Sequence, residues 1–162
     1  MSLTSSPLPV TATASIVASA WAAGAGAGIS LFTITPLLSS SASVGIMLQV
    51  WQLAFNRGKS YMPPAAAAIT ASYLYVSWTH AARGLEWRGF AVAAALTLGI
   101  VPFTFLFIRD TIVELEGMGH KEGYGVAEAV VRATLSRWGA LNLARSCLPL
   151  LGTAAAIWNL LK

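Results

Sequence analysis

Charge is what this sequence has least of. Asp, Glu, Lys and Arg make up only 10 % of its 162 residues, against about 25 % in an average soluble protein. No charged residue and no histidine precedes Arg57. A water-soluble domain cannot be built on such a stretch, because its surface would carry almost no ionic groups. There is a single cysteine, Cys147, which excludes an intrachain disulfide and a cysteine zinc cluster. Set in an apolar run, it reads as a small buried side chain. The two histidines, His80 and His120, lie in different loops. No histidine pair at metal-ligand spacing, Glu-x-x-His motif, GxSxG elbow or Walker loop occurs. The reading is therefore no metal and no nucleotide cofactor. The ten basic residues are scattered singly or in pairs, so the net charge of +4 points to no nucleic-acid surface.

What is present is apolar. Hydrophobic residues make up 56 % of the chain and the mean hydropathy is +0.68, the opposite of a disordered composition. A membrane-crossing helix needs about 20 mostly apolar residues. Ser60 to Thr79 lies between Lys59 and His80, and Gly89 to Ile108 between Arg88 and Arg109. A stretch from Thr11 to Leu38 has no charge at all, and Trp138 to Leu161 is interrupted once, by Arg145. The expectation is an all-α fold: an integral membrane four-helix bundle forming a single membrane domain over 1–162, with spans at about 11–38, 60–80, 88–108 and 138–161. The first span lacks the basic n-region of a signal peptide and runs too long for one, so it reads as retained.

Pro36 and the serines Ser39, Ser40, Ser41 and Ser43 separate that span from a short amphipathic helix, Val44 to Asn56. There Gln49, Gln52 and Asn56 share one face, and Leu48, Trp51 and Phe55 another. Pro63-Pro64 suits the first turn of the next span. Gly84 and Gly89 bracket a tight loop. The region 109–137 holds five of the six acidic residues; Gly117, Gly119, Gly123 and Gly125 mark it as a loop, and Val126 to Arg137 as a second short amphipathic helix. Gly24 and Gly28, one turn apart, suit close helix packing. Loops one and three carry six basic residues against three on the other side, which favours a cytosolic position for those loops. The location expected is a multi-pass membrane protein, in the endoplasmic reticulum if the cell is eukaryotic.

One polar constellation stands out. Trp138, Asn142 and Arg145 are spaced by four and three residues, so they share a face of the last span. A guanidinium about two turns inside such a helix is costly and faces the bundle interior or a polar cavity, unless its stem snorkels to the interface. Arg57 and Arg109 either converge on the same mouth or anchor the interface. His80 ends a face with Tyr73 and Ser77 and has the pKa range of a base, although it sits at the opposite side from that mouth.

Four blocks resemble a known family. The glycine-rich first span Ala22 to Pro36, then WQLAFNRG at 51–58, GIVPFTFLF at 99–107 and WGALNLAR at 138–145 are similar, in order and over nearly the whole chain, to the anthrone oxygenases of fungal polyketide pathways. The segment Arg109-Asp110-Thr111-Ile112 after the third block departs from the family form. The resemblance implies a monooxygenase that converts an anthrone to an anthraquinone with O2 and without a cofactor. Its implied partners are the aromatic polyketide substrate, O2 and membrane lipid, and a homo-oligomer stays open. In that frame Arg145 and Asn142 hold the developing oxyanion, and Trp138 and Trp51 form flat walls for a tricyclic ring. Gln52, Arg57 and Arg109 complete the substrate-binding set, and His80 or water takes the proton. The alternatives are a non-catalytic membrane scaffold and a small-molecule carrier.

Overall fold

The computed structural model describes residues 7–120 and 126–162. Lys121, Glu122, Gly123 and Gly125, expected in a loop, lie outside the described residues. Every described element is helical. In order they are α1 (Pro7–Gly28), a π-helical segment π1 (Ile29–Ile34), α2 (Thr35–Ser39), α3 (Val44–Ala82), α4 (Arg88–Leu98), α5 (Ile100–Phe103), a second π segment π2 (Thr104–Ile108), α6 (Arg109–His120) and α7 (Glu128–Leu160).

Three continuous helical stretches are long and apolar enough to cross a membrane: Pro9–Ser39, Arg88–Gly119 and Glu128–Leu160. The expected fourth, at 60–80, is helical but is not among them. Ser72, Tyr73, Tyr75, Ser77, Trp78, Thr79 and His80 dilute its apolar character. The surface is consistent with helices that meet an apolar medium. Phe32 is 81 % exposed and Leu106 73 % exposed, while Ser15, Ser19, Ser30, Thr97 and Asn142 are buried. Burying polar side chains and exposing large apolar ones reverses the soluble pattern. Cys147, expected inside, is exposed for the same reason.

The two short amphipathic helices do not exist as separate elements. Val44 to Asn56 is the first part of the 39-residue α3, which runs through Pro63 and Pro64. Each proline lacks the N–H that would bond the carbonyl four residues back, so the carbonyls of Lys59 and Ser60 lose their helical donors. Val126 and Ala127 precede α7, which begins at Glu128 and continues without a break to Leu160. Gly117 and Gly119 are helical in α6. Glycine weakens a helix by only about 1 kcal/mol, which the turns around it offset.

Pro36 also shapes the first π segment. Pro36 has no N–H to close an α-helical bond, and its ring crowds the carbonyl of Phe32. The turn before it widens: the Thr35 N–H reaches back five residues to the Ser30 carbonyl, which the Thr35 hydroxyl also meets at 3.0 Å. Pro102 lies four residues beyond Leu98, where α4 ends. In π2 the Arg109 N–H bonds the Thr104 carbonyl, again five residues back.

The chain divides into two compact units. The first comprises, within the described residues, 7–23, 63–100 and 147–162. Its core joins Ile69, Tyr73 and Val76 of α3 with Phe90, Ala93 and Ala94 of α4 and Ala156 of α7. Small residues let α4 and α7 approach: a Cβ on Gly152 would sit 3.1 Å from the Ala93 carbonyl oxygen. Asn159 caps α4, accepting from the Gly89 N–H at 2.9 Å and donating to the Glu86 carbonyl at 2.8 Å. Gly84, at φ 69°, makes the left-handed turn after α3.

The second unit comprises 24–62, 101–120 and 126–146. Its core gathers Ile34, Met47, Leu48, Trp51, Ile108, Leu115, Val131, Leu135 and Trp138. Val131, Leu135, Trp138, Asn142 and Arg145 repeat at four and three residues along α7, the spacing of one helix face. Arg132 fastens the start of α7 to the end of α2. It donates to the Leu38 carbonyl at 2.6 Å and the Ser40 carbonyl at 3.1 Å, a favourable place for a cation. It also pairs with Glu128 at 2.7 Å.

Candidate active site

The inward stripe of α7 changes character at Asn142. The residues before it on that face are apolar and packed; Asn142 and Arg145 are polar and stay inside the second unit. Asn142 is 1 % exposed. Its amide nitrogen donates to the Gly26 carbonyl at 2.9 Å and to the Ser30 hydroxyl at 2.9 Å. Both amide hydrogens are thereby used, and the amide oxygen faces the Arg145 Nη2 at 2.6 Å. Arg145 Nη1 donates to the Thr104 hydroxyl at 3.0 Å. Ser146 donates back to the Asn142 carbonyl at 2.8 Å, and its Oγ lies directly against Gly26, so a Cβ there would force the hydroxyl to turn away.

The close approach foreseen for Gly24 and Gly28 therefore falls on Gly26. A Cβ added to Gly24 would meet nothing within 4 Å, and one on Gly28 would meet only Phe32, at 3.9 Å. Which of three glycines faces a neighbour depends on the rotation of α1, which the glycine spacing leaves open.

Electrostatically the centre is unbalanced. Arg145 is half-buried, and its two hydrogen-bond acceptors, Asn142 and Thr104, are neutral. Arg132 pairs with Glu128; among the described residues no carboxylate pairs with Arg145. A guanidinium has five N–H donors, of which two are engaged here. A positive charge held by neutral dipoles in a low-dielectric interior attracts an anion strongly. Among the described residues no three His, Cys, Asp or Glu side chains gather as a metal site requires.

The other predicted site residues fall into three groups. Trp51 and Trp138 do come together, edge to face, with ring centroids 6.0 Å apart; Phe55 stacks on Trp51 at 5.2 Å. Both indoles belong to the packed core, and both indole N–H groups are buried without a hydrogen-bond acceptor. Gln52, Arg57 and Arg109 belong to the second unit and are exposed. No hydrogen bond among the described residues ties them to Arg145. His80 belongs to the first unit, where Nδ1 meets the Glu86 carbonyl at 3.0 Å and the ring lies edge-on to Phe90 at 5.0 Å.

Three contributors escape a reading of the sequence: Gly26, Ser30 and Thr104. Thr104 carries a signal, being the only polar side chain between Gly99 and Arg109. Beside the network a groove of about 200 Å³ is lined by Ser30, Ile34, Thr35, Ser136, Gly139 and Leu143 among others. That is below the range of about 300–1,000 Å³ usual for ligand pockets.

Fold and site together define an all-helical protein with an apolar-facing surface and one internal cationic centre. The chain belongs to the anthrone oxygenase family, whose model matches residues 51–155. It is similar to the anthrone oxygenase ptaC of Pestalotiopsis fici, at 32 % identity over 139 residues, covering 80 % of this chain and 95 % of that one. It is also similar to the anthrone oxygenase gedH of Aspergillus terreus, at 32 % identity over 134 residues, covering 83 % and 88 %. A third relative is the anthrone oxygenase AgnL2 of Paecilomyces divaricatus, at 30 % identity over 143 residues, covering 81 % and 86 %. No solved structure matches the chain. The matched region contains Trp51, Thr104, Trp138, Asn142 and Arg145.

Proposed function

We propose that this chain is a membrane-embedded anthrone oxygenase that converts an anthrone to an anthraquinone with O2, with Arg145 at its centre. The observation that carries the site assignment is the guanidinium held inside the second unit by the neutral acceptors Asn142 and Thr104. Anthrone supplies its own electrons. Loss of a proton from its methylene carbon gives an aromatic anion with its charge on the carbonyl oxygen. Arg145 stabilises that oxyanion by charge and hydrogen bonding, and Asn142 holds Arg145 in place. The anion gives one electron to O2; the resulting radical and superoxide join in a carbon–oxygen bond. Protonation yields a hydroperoxide, which loses water and leaves the second carbonyl. One oxygen atom ends in the quinone and one in water, and the electrons balance without a metal or nucleotide. His80 and water are the two candidates for taking the methylene proton. A His80→Gln variant distinguishes them: a large loss of kcat at matched concentration of folded protein assigns the histidine, and an unchanged kcat assigns water.

The chain crosses the membrane four times in this reading, the fourth crossing being residues 60–80 of α3. Those residues extend about 30 Å as a helix, the thickness of a hydrocarbon core. Leu74, Tyr75 and Trp78 are exposed along them, as a lipid-facing helix requires. In a eukaryotic cell the membrane is that of the endoplasmic reticulum. Gln52, Arg57 and Arg109, exposed on the second unit, supply the charged approach, and Trp51 and Trp138, packed in its core, back the site.

The test is oxygen uptake and quinone absorbance with purified protein in mild detergent, using emodin anthrone against its spontaneous oxidation. Arg145→Met, at matched concentration of folded protein, is expected to lower turnover about 10²- to 10³-fold. No rate above background with several anthrones would leave a non-catalytic scaffold or a carrier as the function.

A further inference from the structure

Arg145 can serve an oxyanion only if its plane is held. A guanidinium on a flexible stem has many orientations, and a misplacement of about 1 Å can cost about 10²-fold in rate. Two contacts define its plane here. One is Asn142 on the same helix, itself fixed by Gly26 and Ser30. The other is the Thr104 hydroxyl, 41 residues away in sequence. Thr104 opens π2, and π turns recur at functional sites. It interrupts a run in which Phe103, Phe105, Leu106, Phe107 and Ile108 are all apolar. Phe105, Leu106 and Phe107 are exposed, while Ile108 packs in the core.

We propose that Thr104 is a positioning residue of the oxygenase, its hydroxyl fixing the Arg145 guanidinium so that the remaining N–H donors point at the substrate oxyanion. This rests on the reading of Arg145 given above. Thr104 does not touch the substrate; it acts through Arg145. The donor geometry requires an oxygen at this position but not the threonine methyl group.

Thr104→Val keeps the shape and removes the acceptor, whereas Thr104→Ser keeps the acceptor. Steady-state oxidation of emodin anthrone is measured for both, with thermal unfolding in the same detergent. Thr104→Val is expected to lower kcat about tenfold with KM within about twofold, and Thr104→Ser to stay within about threefold of wild type. Equal kcat in the two variants, or a loss in Thr104→Val that follows loss of folded protein, would overturn the proposal. A second readout needs no turnover. In ¹⁵N-labelled protein, the Nη signals of Arg145, assigned by their loss in Arg145→Met, are expected to be resolved in wild type and Thr104→Ser. They should merge through free rotation in Thr104→Val; resolved signals in that variant would refute the positioning. If wild type oxidised no anthrone but the signals behaved this way, the oxygenase reading would fail while the clamp on Arg145 stood.

Discussion

The amide oxygen of Asn142 lies 2.6 Å from Nη2 of Arg145, three residues further along the same helix. The orientation of that amide is fixed from the other side, since its nitrogen donates to the Gly26 carbonyl, which can only accept. Asn142 thus presents oxygen, not nitrogen, to the guanidinium. A neutral acceptor secures the cation without cancelling its charge.

Asn142→Asp tests that distinction. A carboxylate in this place would pair with Arg145 and neutralise it, and it would set an oxygen against the Gly26 carbonyl with no hydrogen between them. Quinone formation should fall about 100-fold at matched folded concentration. A variant as fast as wild type would show that the charge of Arg145 takes no part in the chemistry.

Much of this centre is legible in one helix. Val131, Leu135, Trp138, Asn142 and Arg145 keep the period of a single face, so the sequence alone puts Arg145 behind the two core positions and the tryptophan. The helical class and three long apolar stretches follow from hydropathy as directly. Thr104 stands out in its apolar run, but its role and that of Ser30 are not legible, because serine and threonine in an apolar helix commonly bond their own backbone, as Thr97 does to the Ala93 carbonyl. Only the packing of distant segments gives them another role. Proline and glycine mislead at the helix boundaries, because the cost of each is local and a long packed helix absorbs it. Pro63, Pro64, Gly117 and Gly119 all lie within continuous helices.

The tryptophan pair is expected to govern stability first. Trp51 is 1 % exposed, stacked on Phe55 and edge-on to Trp138. Trp51→Leu removes much of that packing and should destabilise the second unit by about 3 kcal/mol, read as a lower midpoint of thermal unfolding in detergent. An unchanged midpoint with a raised KM would instead make Trp51 a substrate wall, as the sequence first suggests.

Pro63 and Pro64 make the opposite prediction. Each removes a helical hydrogen bond inside α3, at a cost of about 3 kcal/mol relative to alanine in a soluble helix. Pro63→Ala and Pro64→Ala should each raise the unfolding midpoint. A lowered midpoint would mean that the interrupted hydrogen bonding at these prolines is required for packing.

The sharpest test of packing uses two neighbouring glycines. A methyl group on Gly26 would collide with the Ser146 hydroxyl, whereas one on Gly24 would meet nothing within 4 Å. Gly24→Ala should be neutral or stabilise by up to about 1 kcal/mol through helix propensity. Gly26→Ala should destabilise by about 1–3 kcal/mol, and it should also reduce activity, because the Gly26 carbonyl orients Asn142. Ser146→Ala removes the colliding oxygen; the carbon beneath it lies 3.4 Å from the added methyl, an ordinary contact. Combined with Gly26→Ala, it should recover most of the lost stability, giving a coupling of about 1 kcal/mol or more in a double-mutant cycle. Additive effects would mean that the cost of Gly26→Ala lies elsewhere than at Ser146. Recovery of stability without recovery of turnover would locate the remaining defect in the path from Gly26 through Asn142 to Arg145.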